Sequence, residues 1–280
     1  MENYLNYIDK FASETDVQTA VENGELVKPY VAYIEDEDRI DWNTKTVTPD
    51  YSEQYLTFKI TSAGTINWYA SNSASTKTIS YSKDNGTTWN DIVSTTGGTS
   101  INVINGDTLI FKGINSSYGK QTNTYSCFKD STAGFYVEGN IMSLIYGDDF
   151  KDRTSFPSST YIFIYLFLNC TGLTSAQDLI LPATTLQNCC YYAMFYGCTS
   201  LTTAPELPAT TLARECYRFM FVDCTSLNYI KCLAPDISAT YCTMLWVRNV
   251  SKSGTFVKAS GVSWSTGEDG IPSGWTVQEV

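Results

Sequence analysis

The sequence predicts a multi-domain α+β chain: an antiparallel β-sandwich followed by a short solenoid of repeated coils, closed by a β-rich C-terminal cap. Three observations predict it. Between residues 52 and 147, short β-branched and aromatic runs are separated by Gly, Asn, Asp and Ser. Around residues 166–250, residue identities recur every 26 positions. Hydrophobic residues are 43% of the 280 and charged residues 17%, which is material for a core in more than one part. The expected divisions are 1–45, an N-terminal docking segment; 46–148, an Ig-like β-sandwich; 149–250, the solenoid; and 251–280, the cap.

In the first segment, "ENYLNYIDKF" puts Tyr4, Leu5, Ile8 and Phe11 on one helical stripe. A second short helix, "DVQTAVENG", has Thr15 as N-cap and Gly24 just past its end. "LVKPYVAYI" then reads as a strand. So short an amphipathic piece has little core of its own and is expected to dock, on the sandwich or on a partner chain. Its start has no basic region and no uninterrupted apolar run, which predicts no export signal. The acid run from Tyr33 to Trp42 lacks the glycine and closing glutamate of a calcium loop and reads as a solvated loop.

The sandwich strands are "YLTFKIT", "GTINWYAS", "TISYSKD", "TTWNDIV", "TSINVINGDTLIFKG" and "GFYVEGNIMSL". "NGD" at Asn105–Asp107 and "KDNG" at Lys83–Gly86 carry hairpin turn chemistry. Ser82, Asp84, Gly86, Thr88 and Trp89 match the Asp-box of sialidases. Its physical content is a turn: Asp84 caps amides, Gly86 supplies a positive φ, and Trp89 packs beneath. One copy, without an arginine cluster, predicts a structural hairpin and not a glycosidase.

In the repeats, Cys190, Cys216 and Cys242 are 26 apart, as are Cys198 and Cys224, and Leu181, Leu207 and Leu233. Met194–Phe195, Met220–Phe221 and Trp246–Val247 hold matching places, with Leu166–Phe167 one unit earlier. Leu186, Cys190 and Met194 at i, i+4, i+8 predict a helix. Leu173–Ser175, Leu201–Thr203 and Leu227–Ile230 predict parallel strands, the second closed by Pro205. One helix and one strand per unit reads as a leucine-rich-repeat coil. The recurring L-P-A-T-T-L-x-x-x-C-Y-x-x-M-F-x-x-C-T-S-L resembles the BspA-like leucine-rich repeats of gut bacteria and their bacteriophages. The resemblance implies surface display or binding, and no reaction.

Other readings of these motifs are weaker. "LPATT" twice in mid-chain, with no apolar tail after it, is not a sorting tag. Cysteine spacings of 8 and 26 lack the close pairs of zinc sites. Stacked helices about 8–10 Å apart would hold the cysteines too far apart for disulfides, so buried free thiols are expected. Glu215 and Arg218 read as a surface pair on a helix, and Asp223 as isolated. The C-terminal stretch, with Trp264 and Trp275, is expected to cover the apolar end of the stack.

Histidine is absent, so no Ser–His or Cys–His nucleophile exists. A net charge of −11 opposes binding to nucleic acid or anionic lipid, and no run is long enough for membrane insertion. No cofactor is expected. Together these features predict a non-enzymatic bacteriophage virion protein (a fibre, appendage or capsid decoration) assembled in the host cytoplasm. Its partners would be other virion proteins, further copies of itself, and a host surface glycan or protein. The alternative is a bacterial cell-surface adhesin with BspA-like repeats. The expected contact residues are Thr202, Asn228, Tyr229 and Lys231; were the chain a glycosidase, Glu206 and Asp236 would be the carboxylates to test.

Overall fold

A computed structural model describes residues 50–280 and, before them, the backbone of Asp9–Phe11 (β1), Ala32–Ile34 (β2) and Arg39–Asp41 (β3). The chain divides into two compact units, residues 1–50 and 51–280. In the first, β1 pairs parallel with β2, and β2 antiparallel with β3. Phe11, expected on a helix, therefore lies on a strand. Tyr4, Leu5, Ile8, the second expected helix and the middle of the acid run fall outside the described residues.

In the second unit, residues 51–147 form two sheets, one of them joined by a strand from further along the chain. One contains Gly64–Ala70 (β5), Thr99–Val103 (β8), Gly119–Gln121 (β10) and Thr124–Phe128 (β11). The other contains Leu56–Ser62 (β4), Thr78–Ser82 (β6), Asn90–Val93 (β7), Thr108–Lys112 (β9), Gly134–Asn140 (β12) and Asp178–Ile180 (β13). Period-two alternation sends Ile66, Trp68 and Ala70 of β5 inward. The sheets meet where Phe58 of β4 packs on Phe128 of β11, ring centroids 4.7 Å apart. The "KDNG" turn does join a hairpin, β6 to β7. "NGD" does not. It carries the chain from β8 in one sheet to β9 in the other, with Gly106 at φ 90°.

The second unit is strand-rich, and its single α-helix among the described residues is Ser143–Tyr146 (α1). The helix expected in each repeat is absent. Residues 187–198 are instead a chain of overlapping turns. Cys190, Tyr192, Met194, Tyr196 and Cys198 each donate their amide to the carbonyl three residues back. The amides between them point along the stack: Cys189, Tyr191, Ala193, Phe195 and Gly197 donate to Arg214, Cys216, Arg218, Met220 and Val222. The pattern recurs one unit before and one unit after, so the backbone groups of the run are used in turn and between units. Every fourth residue is left-handed: 161, 165, 169; 189, 193, 197; 215, 219, 223; 241, 245, 249. Each sits third in its turn, where a type II turn requires positive φ. The resulting order is two residues packed in the main core, one turned away from it and one left-handed, a strict period of four that resembles a helical stripe; of the turned-away set, Ile164 and Tyr192 are buried in a second, smaller cluster.

On the other side of each unit lies a strand. β13 pairs parallel with β12, joining the first repeat to the sandwich sheet. Thr203–Leu207 (β14), Tyr229–Cys232 (β15), Thr255–Lys258 (β16) and Thr276–Glu279 (β17) continue as a four-stranded parallel sheet. These strands lie later than expected. Leu173 and Ser175 form only single bridges, to Phe135 and Thr203. Pro205 does not close its strand; it sits inside β14, where the register shifts between Thr203 and Glu206.

Between the turns and the strands, two columns of aromatic rings run the length of the stack. Tyr118, Phe163, Tyr191, Tyr217 and Trp246 follow one another at 6.0–6.3 Å. Phe128, Phe167, Phe195, Phe221 and Trp246 follow at 5.2–6.1 Å. Tyr118 and Phe128 belong to the sandwich part, so its core continues into the repeats. At the far end Trp246 stacks on Trp264 and donates Nε1–H to Gly270 O. Asp269 Oδ1 accepts the Leu245 amide, which no following unit is present to take.

Candidate binding groove

The first question is whether the recurring cysteines are chemistry or filler. All nine are free and buried. Cys198 and Cys224 each donate their thiol 3.0 Å to a carbonyl of the preceding unit, Phe167 O and Phe195 O, and Cys170 donates to Phe128 O at 3.4 Å. Burial drives the thiols up: Cys170 and Cys232 to about 12, Cys190 and Cys198 well above the usual value. Such thiols are poor nucleophiles. The helix-spacing argument against disulfides fails, because neighbouring units are hydrogen-bonded at about the 4.8 Å separation of paired strands; the thiols are free all the same. Among the described residues no three His, Cys, Asp or Glu side chains come together to hold a metal ion. No helix among them is long and apolar enough to cross a membrane.

The Asp-box is a hairpin turn. Asp84 accepts from Ser82 Oγ (2.7 Å), Thr88 N (2.8 Å) and Thr88 Oγ1 (2.7 Å), and Gly86 N donates to Ser82 Oγ. The Thr88 and Ser82 hydroxyls together pull the Asp84 carboxyl down to about 2. Trp89 packs edge-on against Tyr55 and under the Lys112 ammonium. Every polar atom of this carboxylate is occupied within the turn. Asp236 is similarly engaged, capping Ser238 N and Oγ, and Glu206 is held 2.7 Å from Lys231. Glu215 is not a surface residue; it is buried and takes both Arg214 and Arg218. Asp223 is bound by Asn249 Nδ2.

The outer face of β14 and β15 is different. Along β15 the side chains alternate: Ile230 and Cys232 enter the core, while Tyr229 and Lys231 face out. With Asn228, Gln177, Thr203, Ala204 and Glu206 they line a groove of about 520 Å³. Of the expected contact residues, Asn228, Tyr229 and Lys231 lie in this groove. Thr202 sits beside it, its hydroxyl bound to Thr174 O. Gln177 and Glu206 were not foreseen as contacts. The register shift at Pro205 sets Glu206 opposite Lys231, and nothing in the spacing of the sequence announces it. The side chains of Gln177, Asn228 and Tyr229 form no hydrogen bond with any described residue, and the Tyr229 ring stacks on none of their rings.

A second groove of equal size lies under α1, between Thr78–Ser80 and Lys112–Ile114. Three of its side-chain pairs are committed: Lys112 to Asp148, Ser80 to Asp91, and Tyr146 to Ser155 O. One further cluster holds raised carboxyls. Glu138, on β12, opposes Asp178, on β13. Burial raises both, with Lys59 at 3.5 Å from Glu138 as the nearby cation.

Compared with known proteins, the chain matches no protein family, no curated protein and no solved structure.

Proposed function

We propose that this chain is a non-enzymatic display protein of a bacteriophage virion, presenting the outer face of its repeats to the host surface. We infer further that residues 149–250 are a short leucine-rich-repeat solenoid of the BspA-like kind, seated on an Ig-like sandwich. The solenoid reading is supported by the 26-residue stagger of both the turn bonds and the parallel strands. It is also supported by the position of the recurring motif, whose cysteines are buried and whose aromatics Tyr191, Phe195, Tyr217 and Phe221 stand in the columns. The observation that carries the functional reading is the contrast between interior and exterior. The recurring cysteines are all buried, while Gln177, Asn228 and Tyr229 bring polar groups with no partner among the described residues to one external groove.

Mass spectrometry of density-purified virions and of washed cell envelopes from the producing culture tests this. Recovery with virions is expected. Recovery in the envelope with a processed N-terminus assigns the chain to the adhesin alternative. Absence from both ends the display reading.

A further inference from the structure

The groove beside Tyr229 has a definite chemistry. Gln177 and Asn228 each offer an amide with donors and an acceptor, and Tyr229 offers a hydroxyl and a half-exposed ring, none of them used within the described residues. The two charges present, Glu206 and Lys231, neutralise each other at 2.7 Å. A site with free hydrogen-bonding groups, a partly exposed aromatic ring and no net charge suits a ligand that is polar, uncharged and carries C–H faces. The net charge of −11 further disfavours an anionic one. We propose that this groove binds a neutral oligosaccharide, one sugar stacked on Tyr229 and its hydroxyls bonded to Asn228 and Gln177. The proposal rests on the reading of the repeats as a display face.

Two measurements separate the two claims. The first is binding of the full chain to immobilised neutral oligosaccharides (hexose and N-acetylhexosamine chains) beside sialylated and sulfated ones. Selective retention on neutral chains is expected, with Tyr229→Ala weakening it at least about tenfold, the worth of roughly 1.4 kcal/mol, and Asn228→Ala severalfold. Unaltered melting temperatures show that the variants fold, and Tyr229→Phe, which keeps the ring, retains most of the binding. Retention on anionic chains only, retention on none, or indifference to Tyr229→Ala overturns the sugar proposal.

The second measurement is attachment of the labelled chain to host cells. If Tyr229→Ala abolishes attachment while neutral sugars neither bind nor compete, the display face stands and its ligand is not a neutral sugar. If attachment ignores all the groove substitutions, the groove is not the display face, and both claims fall.

Discussion

The sandwich and the repeats fill their interiors with the same kinds of side chain, yet they spend their backbone hydrogen bonds differently. In the sandwich most strands run antiparallel to neighbours distant in sequence, Leu56 opposite Phe111 and Glu138 opposite Thr57, and their amides are used across those pairings. In the repeats half the amides close a turn and the other half reach a residue about 26 positions away. The first arrangement tolerates almost any sequence with period-two alternation. The second demands a left-handed residue every fourth position, and non-glycine residues occupy most of those places, at about 1–2 kcal/mol each. The left-handed places carry residues as different as Tyr, Cys, Glu, Ala, Phe and Leu, so the identities that repeat are those of the inward cysteines and aromatics, and the difference teaches that the strained backbone is held by the packing and bonds around it.

Substitutions can break or sharpen this contrast. The largest effect is expected in the shared core: Phe195→Ala in the repeats and Phe58→Ala in the sandwich should each cost about 3–5 kcal/mol in denaturant unfolding. Because one hydrophobic cluster contains both, residues 51–280 should unfold in a single transition in both variants; two separated transitions would split the parts. Next is Gly197→Ala. Gly197 lies at φ 73°, and a Cβ there would collide with Asn169 Oδ1. Alanine should therefore destabilise by at least about 1–2 kcal/mol, whereas in a helix the same change would stabilise by about 1. The sign of the measured change in stability distinguishes turn from helix.

Thiol labelling gives the third test. The native chain should react slowly at all nine cysteines and show little acceleration between pH 7 and 9, with full labelling in denaturant. Rapid native labelling would mean that the columns are open.

The smallest effect is electrostatic, and it has opposite signs in two places. Asp84 is held down to about 2, so its stabilisation is present above the ordinary carboxylate range and is lost as pH falls toward 2. Glu138 and Asp178 are raised, so their contribution is fullest below the ordinary range and is lost as pH rises through their folded values. Asp178→Asn should raise the melting temperature at pH 8 and do less at pH 4, whereas Asp84→Asn should lower it at pH 7. Equal shifts at both pH values for Asp178→Asn would remove the titration from the explanation.

How much of this was legible depended on which periodicity was in play. The sandwich strands were readable because Ile66, Trp68 and Ala70 alternate with polar neighbours. The unit length was readable from the cysteines. The turns were not, because Leu186, Cys190, Met194 and Cys198 at steps of four resemble a helical face. A true helix would rotate such a row by about 40° per step, so three strict steps were the available warning. Tyr118 and Phe128, which begin the aromatic columns, stand outside the 26-residue spacing and could be found only in three dimensions. In the groove, the alternation around Ile230 and Cys232 already turns Tyr229 and Lys231 outward. Glu206 joins them only through the irregular register at Pro205.

Successive turn runs meet through the same pattern of backbone bonds and stacked rings, although their strands do not: Ser175 reaches Thr203 by a single bridge, β14 shifts register on β15, and β15 pairs evenly with β16. Removing or duplicating one 26-residue segment would leave Tyr118 and Phe128 seated at one end and Trp264 at the other. The exterior face would then shorten or lengthen by about 4.8 Å.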